Sequence, residues 1–408
     1  MKLQVTRTSL PPFEEFCEEI RPLWESHWVT NMGGKHEALE SALRERIGCG
    51  VTLFSNGHLA LEAALQALDL PAGSEVITTP FTFVSTTHAI VRCGLVPVFC
   101  DVRASDGTMD PELIEGLITE RTSAILPVHV YGHVCDAERI GEIALRHGLK
   151  VLYDAAHAFG VRYRGVPAGS FGDASVLSFH ATKVFSTVEG GAVCWHDPAM
   201  EQRLKDLRNF GIRDEEHCAA VGGNAKMDEL RASMGLCNLR HLDEALAHRR
   251  EISLLYRELL PGAGGPVPFP LAPDPDTEPN WSYFPVLFPS QAARDAAFDA
   301  LAAAGIGSRK YFWPLTCDNG TVAGCFDVPV ARGLSSRILC LPLSQYVTPE
   351  EVKRVCSLAD RLRIMRTRTP GLTYLNDFVL GDVPDVAADG GVAHGAPKVH
   401  VAADLAEV

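Results

Sequence analysis

The first half of the chain alternates apolar, strand-like runs with segments of helical periodicity. The strand-like runs are EVITTP (75–80), VPVFCDV (96–102), SAILPVHV (123–130), KVLYDAA (150–156), SVLSF (175–179) and GGAVCW (190–195). Segments 58–70, 85–94 and 137–148 place apolar residues three and four positions apart. This alternation predicts an α/β domain whose mainly parallel sheet carries helices on both faces. Because ligands of such sheets bind beyond the carboxyl ends of the strands, functional residues are expected there.

The second half predicts a smaller α+β domain. At 408 residues the chain exceeds the ~250–300 residues at which single cores stop growing. A long helical stretch over 227–260 ends in the breaker cluster PGAGGPVPFP, and Thr348 with Glu351 forms a capping box before a last helix. We predict a large domain with an N-terminal arm over 1–245 and a small domain over 246–366. Residues 367–408 are rich in Gly, Ala, Pro and Asp, which predicts a flexible tail.

The charge balance bears on partners and location. The chain has 37 basic and 51 acidic residues, a net charge of -14, and no dense Lys/Arg cluster. We therefore expect no nucleic-acid or anionic-membrane partner. No stretch approaches the ~20 apolar residues of a membrane span, and no signal segment begins the chain, which predicts a cytoplasmic protein. The twelve cysteines stand singly, without a C-x-x-C pair, and are interpreted as reduced, mostly buried thiols rather than zinc ligands or disulfides.

Two strand ends supply an acid and an amine. Asp154 ends the run KVLYD, and Lys183 follows the run SVLSF. The pair suits pyridoxal 5'-phosphate (PLP), which needs a carboxylate against its ring nitrogen and a lysine that bonds to it covalently. The alternative is that the aspartate only caps a helix or loop and the lysine is a solvated surface charge.

Four short motifs follow one another within about forty residues of this region. They read Asp154-Ala155-Ala156-His157-Ala158, Gly169-Ser170-Phe171-Gly172-Asp173, Ser178-Phe179-His180-Ala181-Thr182-Lys183 and Glu189-Gly190-Gly191. In this order they resemble the DegT/DnrJ/EryC1/StrS aminotransferases, and the resemblance extends from about residue 25 to about residue 365. It implies the fold of the PLP-dependent aspartate aminotransferases (fold type I), PLP as cofactor with pyridoxamine 5'-phosphate in the second half-reaction, and a homodimer with shared active sites.

The resemblance also implies roles for the residues around the cofactor ring. Lys183 would hold the cofactor and move a proton, Asp154 would pair with the ring nitrogen, and His157 would contact the phenolic oxygen. Phe83 would stack on the ring. Without the resemblance, His157 reads equally well as a core histidine satisfied by the backbone, and Phe83 as packing at a strand end.

A phosphate site is predicted where a helix begins near residue 59. Backbone N–H groups at a helix N-terminus bind anions, and Asn56, Gly57 and His58 stand there. The family usually has Thr after the Gly, so His58 loses that hydroxyl contact and keeps only its N–H. Ser178 is expected to add a hydroxyl, and Asn224 to reach the phosphate of the neighbouring subunit. Ser-Asn-Gly is also an ordinary turn.

Three further residues are expected on the substrate side. Tyr311 matches a segment that faces the sugar nucleotide in relatives, and Arg309 suits the donor carboxylate or the diphosphate. Glu189 is placed with them, and the two glycines after it would give the backbone freedom close to a ligand. The alternative for that glycine pair is an ordinary hairpin turn.

The family contains sugar and cyclitol aminotransferases, and dehydratases in which a histidine replaces the lysine. Lys183 favours transamination here. The string SFHATKVF with the following EGG is most similar to enzymes that use glutamate to aminate a dTDP-linked 4-keto-6-deoxy sugar, forming a 4-amino-4,6-dideoxy sugar nucleotide. The alternatives are an aminotransferase for another keto sugar or cyclitol, of the C3 or scyllo-inosose type, and a non-catalytic PLP-binding regulator.

Overall fold

The computed structural model describes residues 2–260, 265–322, 324 and 326–367. Within them the strands are β1 (Gly50–Phe54), β2 (Glu75–Thr78), β3 (Val96–Phe99), β4 (Thr122–Leu126), β5 (Lys150–Asp154), β6 (Arg162–Tyr163), β7 (Val166–Pro167), β8 (Ala174–Ser178), β9 (Gly191–Trp195), β10 (Val267–Pro268), β11 (Thr277–Glu278), β12 (Phe284–Leu287) and β13 (Ile338–Leu341). The helices are α1 (Phe13–Ser26), α2 (Gly34–Ile47), α3 (Gly57–Ala67), α4 (Val84–Arg92), α5 (Pro111–Ile114), α6 (Ala137–His147), α7 (Pro198–Arg208), α8 (Glu229–Arg240), α9 (Leu242–Leu259), α10 (Gln291–Ala303), α11 (Pro329–Arg337) and α12 (Pro349–Thr367).

The large sheet has the predicted, mainly parallel character. Its strand order is β1-β9-β8-β5-β4-β2-β3. Strands β3, β2, β4, β5 and β8 run parallel, whereas β9 is antiparallel to both of its neighbours. The edge strand β1 was not among the predicted runs. All six predicted runs contain a strand of this sheet, which confirms the α/β architecture.

Alternate residues of the strands pack on opposite faces of this sheet, as the pleat requires. In β8, Val176 belongs to the apolar cluster that includes residues of α3, α4 and α7. Its neighbour Leu177 belongs to the cluster that includes residues of α2 and α8. Helices therefore cover both faces, and the polar groups at the strand ends are left at the edge of the sheet.

A second, antiparallel sheet follows in the order β10-β12-β13. It packs with α9, α10 and α12 in its own apolar cluster. The capping box is confirmed, since the Thr348 N–H donates to Glu351 Oε2 at 2.9 Å and the Glu351 N–H donates to Thr348 Oγ1 at 3.3 Å. The domain boundaries at 245 and 366 stay predictions, and the tail, apart from Thr367, lies outside the described residues.

The stretch predicted as helical over 227–260 is helical but is divided into two helices. The chain forms α8 and α9 there, and His241 between them has φ -101° and ψ 2°. Any residue can adopt this conformation, so the break needs neither Gly nor Pro and leaves no signal in the sequence.

Two further findings concern the predicted location and thiols. Eleven cysteines lie among the described residues, and seven of them are buried. In the same part of the chain, we find no helix that is long and apolar enough to cross a bilayer.

Candidate active site

A cavity of about 600 Å³ lies beyond the carboxyl ends of β1, β2, β5 and β8. Ligands of doubly wound sheets bind in this position. Eleven of the twelve predicted site residues line it: Asn56, Gly57, His58, Phe83, Asp154, His157, Ser178, Lys183, Glu189, Arg309 and Tyr311. The sequence therefore identified residues that the fold brings into one cavity from segments more than 250 positions apart.

Asp154 is the last residue of β5, and only 4 % of its surface is exposed. Its Oδ2 accepts a hydrogen bond from Thr86 Oγ1 at 2.7 Å, and its Oδ1 accepts one from the Ala156 N–H at 3.0 Å. Burial raises the pKa of Asp154, while these two donors and the charge of Lys183 oppose the rise. No helix begins here, so the interpretation of Asp154 as a helix cap is not supported.

Lys183 lies in the loop that joins β8 to β9, and its side chain lines the cavity. Its backbone N–H donates to the His180 carbonyl at 2.8 Å, which fixes the turn after β8. Burial lowers the pKa of Lys183 to about 8, although the nearby Asp154 charge acts in the opposite direction. A solvated surface lysine would keep its usual value, so Lys183 is not such a residue. A lysine with a lowered pKa can act as a nucleophile and base.

His157 is buried, with 7 % of its surface exposed, and its ring lines the same cavity. Its Nδ1 accepts a hydrogen bond from the Tyr131 N–H at 3.0 Å, so the proton of the neutral ring is on Nε2. Burial holds the pKa of His157 well below its ordinary value, which keeps the ring neutral. The ring also lies parallel to that of Phe312, with centroids 6.0 Å apart. Backbone bonding and a place in the cavity thus coexist, and Nε2–H is the end that can donate.

The first turn of α3 packs closely on the end of β8. A Cβ at Gly57 would lie 3.2 Å from Ser178 Oγ, and a Cβ at Gly191 would lie 2.7 Å from Gly57 N. Asn56 is the N-cap, because its Oδ1 accepts the Leu59 N–H at 2.9 Å. The segment is therefore a capped helix start rather than a free turn. The N–H groups at positions 57 and 58 and the Ser178 hydroxyl line the cavity together, which suits a phosphate.

The two glycines after Glu189 are explained differently than predicted. Gly190 and Gly191 are not in the left-handed region. A Cβ at Gly190 would lie 2.0 Å from Thr187 Oγ1, and a Cβ at Gly191 would meet the backbone of the first turn of α3. The protein itself, rather than a ligand, excludes side chains at both positions.

His58 uses its ring within the protein. Its Nδ1 lies 2.8 Å from Ser85 Oγ, and its Nε2 lies 3.0 Å from Glu62 Oε1. Arg92 also donates to Glu62 Oε1. The ring thus connects α3 with the first turn of α4, and its backbone N–H stays at the helix start, as predicted.

Phe83 precedes α4 and is 55 % exposed. A ring that only filled a strand end would be buried, so packing does not account for it. Its exposed face borders the cavity that contains Asp154 and Lys183. An exposed aromatic ring in this position can stack on a flat ligand.

Further charged and aromatic groups complete the wall of the cavity. Tyr311 stacks on Phe312 with ring centroids 5.0 Å apart. Arg309 is exposed, and no ion-pair partner for it is found in the described part of the chain. Glu189 Oε1 lies 3.5 Å from His180 Nε2, and both side chains border the cavity. Arg309, Glu189 and Tyr311 thus give the cavity wall a cation, an acid and a phenol.

Asn224 is the predicted residue that does not line the cavity. It is exposed and pairs with Asn209 in an isolated β-bridge. Lys226 Nζ donates to Asn224 Oδ1 at 2.8 Å, so the amide nitrogen is the free end. Its predicted role in a neighbouring subunit stays a prediction.

Several cavity residues were not predicted from the sequence. They are Ser55, Leu61, Thr82, Ser85, Val128, Ala156, Val176, His180, Thr182, Arg231, Tyr283 and Phe312. Thr86, which donates a hydrogen bond to Asp154, could have been found because it stands in the first turn of α4, three positions after Phe83. Tyr283 and Phe312 carry no such signal, since they reach His157 only through the tertiary fold.

Comparisons with known proteins agree with this geometry. A model of the DegT/DnrJ/EryC1/StrS aminotransferase family matches residues 13–359. A dTDP-4-amino-4,6-dideoxy-D-glucose transaminase from Shigella dysenteriae is 41% identical over 359 residues, which cover 86% of this chain and 97% of the relative.

Solved structures are similar over nearly the whole described chain. DesI, crystallised in the presence of its TDP-sugar product, has a TM-score of 0.82 and 33% identity, covering 90% of this chain and 93% of that one. The PLP form of Spr1654 from Streptococcus pneumoniae, described as a sugar aminotransferase, has a TM-score of 0.83 and 26% identity, covering 90% and 99%. This protein is a transaminase that belongs to the DegT/DnrJ/EryC1/StrS aminotransferase family.

Proposed function

We propose that this protein uses PLP to transfer the amino group of glutamate to a dTDP-linked 4-keto-6-deoxy sugar, forming a 4-amino-4,6-dideoxy sugar nucleotide. The observation that carries the proposal is the single cavity shared by Lys183, Asp154, His157 and the first turn of α3. The transaminase from Shigella dysenteriae, 41% identical to this chain, supports the sugar substrate.

The residues present fit PLP. When bound, PLP supplies an electron-accepting pyridine ring and a carbon that bonds to amines. The Asp154 carboxylate would accept a hydrogen bond from the protonated ring nitrogen, and His157 Nε2–H would donate to the phenolic oxygen. Phe83 would cover one face of the ring, while Ser178 Oγ and the N–H groups of Gly57 and His58 would bind the phosphate.

Lys183 does the proton work in this proposal. With a pKa of about 8, about a tenth of its amine is uncharged at pH 7 and could bond to the cofactor. Lys183 Nζ would take the proton from the α-carbon of the amino donor and release it to the carbon of PLP that bonds amines. In the second half-reaction it would move a proton in the opposite direction, to carbon 4 of the sugar.

The substrate-binding groups are assigned from the polar and charged side chains of the cavity wall. Arg309 lacks an ion-pair partner in the described residues and can bind the carboxylate of glutamate or the diphosphate of the sugar nucleotide. Tyr311 and Glu189 can bond sugar hydroxyls. A net charge of -14 attracts no anion as a whole, so these local groups must provide the affinity.

A homodimer completes the proposal. Asn224 stands on an exposed excursion between α7 and α8 that carries Phe210, Ile212 and Val221, which are 46%, 47% and 96% exposed. Apolar side chains grouped on a surface favour a protein interface. Asn224, with its free amide nitrogen, would then donate to the phosphate in the partner's site.

The absorption spectrum tests the cofactor and its lysine. Protein reconstituted with PLP should show an absorption band in the blue part of the visible spectrum. Glutamate should remove that band. Lys183→Ala should lack the band and transaminate at least ten thousand times more slowly, whereas Lys150→Ala, at the opposite end of β5, should behave as wild type. Turnover of Lys183→Ala within about tenfold of wild type, ~1.4 kcal/mol of barrier, would mean that another lysine is used.

A substrate panel tests the sugar. The purified protein is given glutamate with 4-keto and 3-keto nucleotide sugars and with scyllo-inosose, and amino products are quantified. We expect the dTDP-linked 4-keto-6-deoxy sugar to have the highest kcat/KM. Preference for a 3-keto sugar or for scyllo-inosose would refute the substrate assignment, and a visible band without turnover on any of them would favour a regulator.

A further inference from the structure

His58 stands in the first turn of α3, at the predicted phosphate site, yet its ring is not free to meet a ligand. Glu62 Oε1 lies 3.0 Å from its Nε2 and Ser85 Oγ lies 2.8 Å from its Nδ1. Glu62 is itself bonded by Arg92 from α4. His58 and Ser85 both line the cavity. The ring is therefore a bridge from an ion pair to a hydroxyl that borders the site.

The proton arrangement along this bridge decides which way the Ser85 hydroxyl donates. A carboxylate only accepts, so the His58 Nε2 carries a proton toward Glu62. If Nδ1 is bare, the Ser85 O–H donates to it and presents only lone pairs to the cavity, which repel an anion. If Nδ1 also carries a proton, it donates to Ser85 Oγ, and the Ser85 O–H is released toward the cavity.

Only the second arrangement lets the Ser85 hydroxyl donate to an anion at the start of α3. In that arrangement Nε2–H donates to the Glu62 carboxylate and Nδ1–H donates to Ser85 Oγ. Ser178 Oγ stands on the other side of Gly57, where a Cβ would approach it to 3.2 Å. Ser178 therefore contacts Gly57, Ser85 contacts His58, and both serines line the cavity.

We propose that Ser85, held by His58 and Glu62, is a further ligand of the cofactor phosphate. This relay of Glu62, His58 and Ser85 supplies, from α4, the hydroxyl that position 58 lacks. The inference rests on the proposed use of PLP and identifies residues of this chain that hold it.

The test compares two aldehydes that differ only in the phosphate. Apoprotein is titrated with PLP and with pyridoxal, and binding is followed by the visible band of the Lys183 adduct. Ser85→Ala should raise the Kd for PLP at least tenfold and leave the Kd for pyridoxal within threefold of wild type. Ser85→Thr, which keeps the hydroxyl, should bind PLP as wild type. Ser336→Ala, a half-buried serine of α11 outside the cavity, is the matched control.

A second variant tests the relay itself. His58→Thr in the Ser85→Ala background restores a hydroxyl at position 58 and should bring the Kd for PLP back to within about threefold of wild type. Equal losses for PLP and pyridoxal, an unchanged Kd for PLP in Ser85→Ala, or no recovery in the double variant would each overturn the relay. If wild-type apoprotein forms no adduct with PLP, the proposed function fails instead, so the two failures are distinguishable.

Discussion

Asp154→Asn is the change that most directly tests the proposed chemistry. The amide has the shape of the carboxylate, and its oxygen can still accept the Ala156 N–H that now bonds Oδ1 at 3.0 Å. The Thr86 hydroxyl, which now donates to Oδ2, can rotate to accept from the new amide nitrogen, since Thr82 Oγ1 is another partner only 2.8 Å away. We therefore expect the variant to fold and to bind PLP, with only the charge removed.

The magnitude follows from the burial of the site. A charge pair about 4 Å apart at an effective dielectric near 20 is worth about 4 kcal/mol. A neutral hydrogen bond returns about 1 kcal/mol of this. The loss of about 3 kcal/mol corresponds to a slowing of the glutamate half-reaction by at least about 100-fold, because every 1.36 kcal/mol is a factor of ten.

Rapid mixing of the PLP form with glutamate measures this step directly through the decay of the visible band. Thr86→Val is the control, because it removes a hydrogen bond and keeps the charge. Losing that donor raises the pKa of Asp154 further, so its defect should grow as pH falls and shrink as pH rises. If Asp154→Asn reacts within tenfold of wild type, the carboxylate is not opposite the ring nitrogen, and the reasoning is refuted.

Two further predictions concern the lysine and the subunit contact. Since the pKa of Lys183 is about 8, its uncharged fraction rises about tenfold between pH 7 and pH 9, and the rate at which apoprotein bonds PLP should rise with it and then level off; a rate still climbing tenfold per pH unit at pH 10 would mean an ordinary lysine. Asn224→Ala should weaken PLP binding at least about tenfold without unfolding, and mixing it with Lys183→Ala subunits should restore activity through heterodimers with one intact site. Verified subunit exchange without recovery would make Asn224 a structural residue of its own chain.

The strands of the large sheet were predictable because most are buried on both faces and read as apolar runs. The edge strand β1 was not predicted, and its apolar run VTLF is interrupted by Thr52. The break between α8 and α9 was missed for a different reason, because helical periodicity continues through His241. In each case the tertiary fold, rather than a local residue type, decides the structure.

The site was predicted through motifs that follow strands. Asp154, His157 and Lys183 stand in or beside short motifs, and these motifs follow one another along the chain in the same order as in the family. Residues that act through others were harder to find: Thr86 bonds Asp154, and Tyr131 fixes the ring of His157 through its backbone N–H. Almost every residue has a backbone N–H, so the sequence does not show which one donates to His157. Only the structure reveals which ring nitrogen of His157 is left free.

The acid–base assignment of the site depends on a difference between the surroundings of Asp154 and those of Lys183. Burial alone would favour the neutral form of both side chains. Burial lowers the pKa of Lys183 and raises that of Asp154, so it disfavours the charged form of both groups. Asp154 is the one that the fold compensates, because Thr86 and the Ala156 N–H donate to its two oxygens. Lys183 receives only the attraction of Asp154 itself. In the proposed PLP form, the ring nitrogen would take over that attraction, which would leave the lysine freer to lose its proton. This asymmetry favours the charged form of the carboxylate and the uncharged form of the amine.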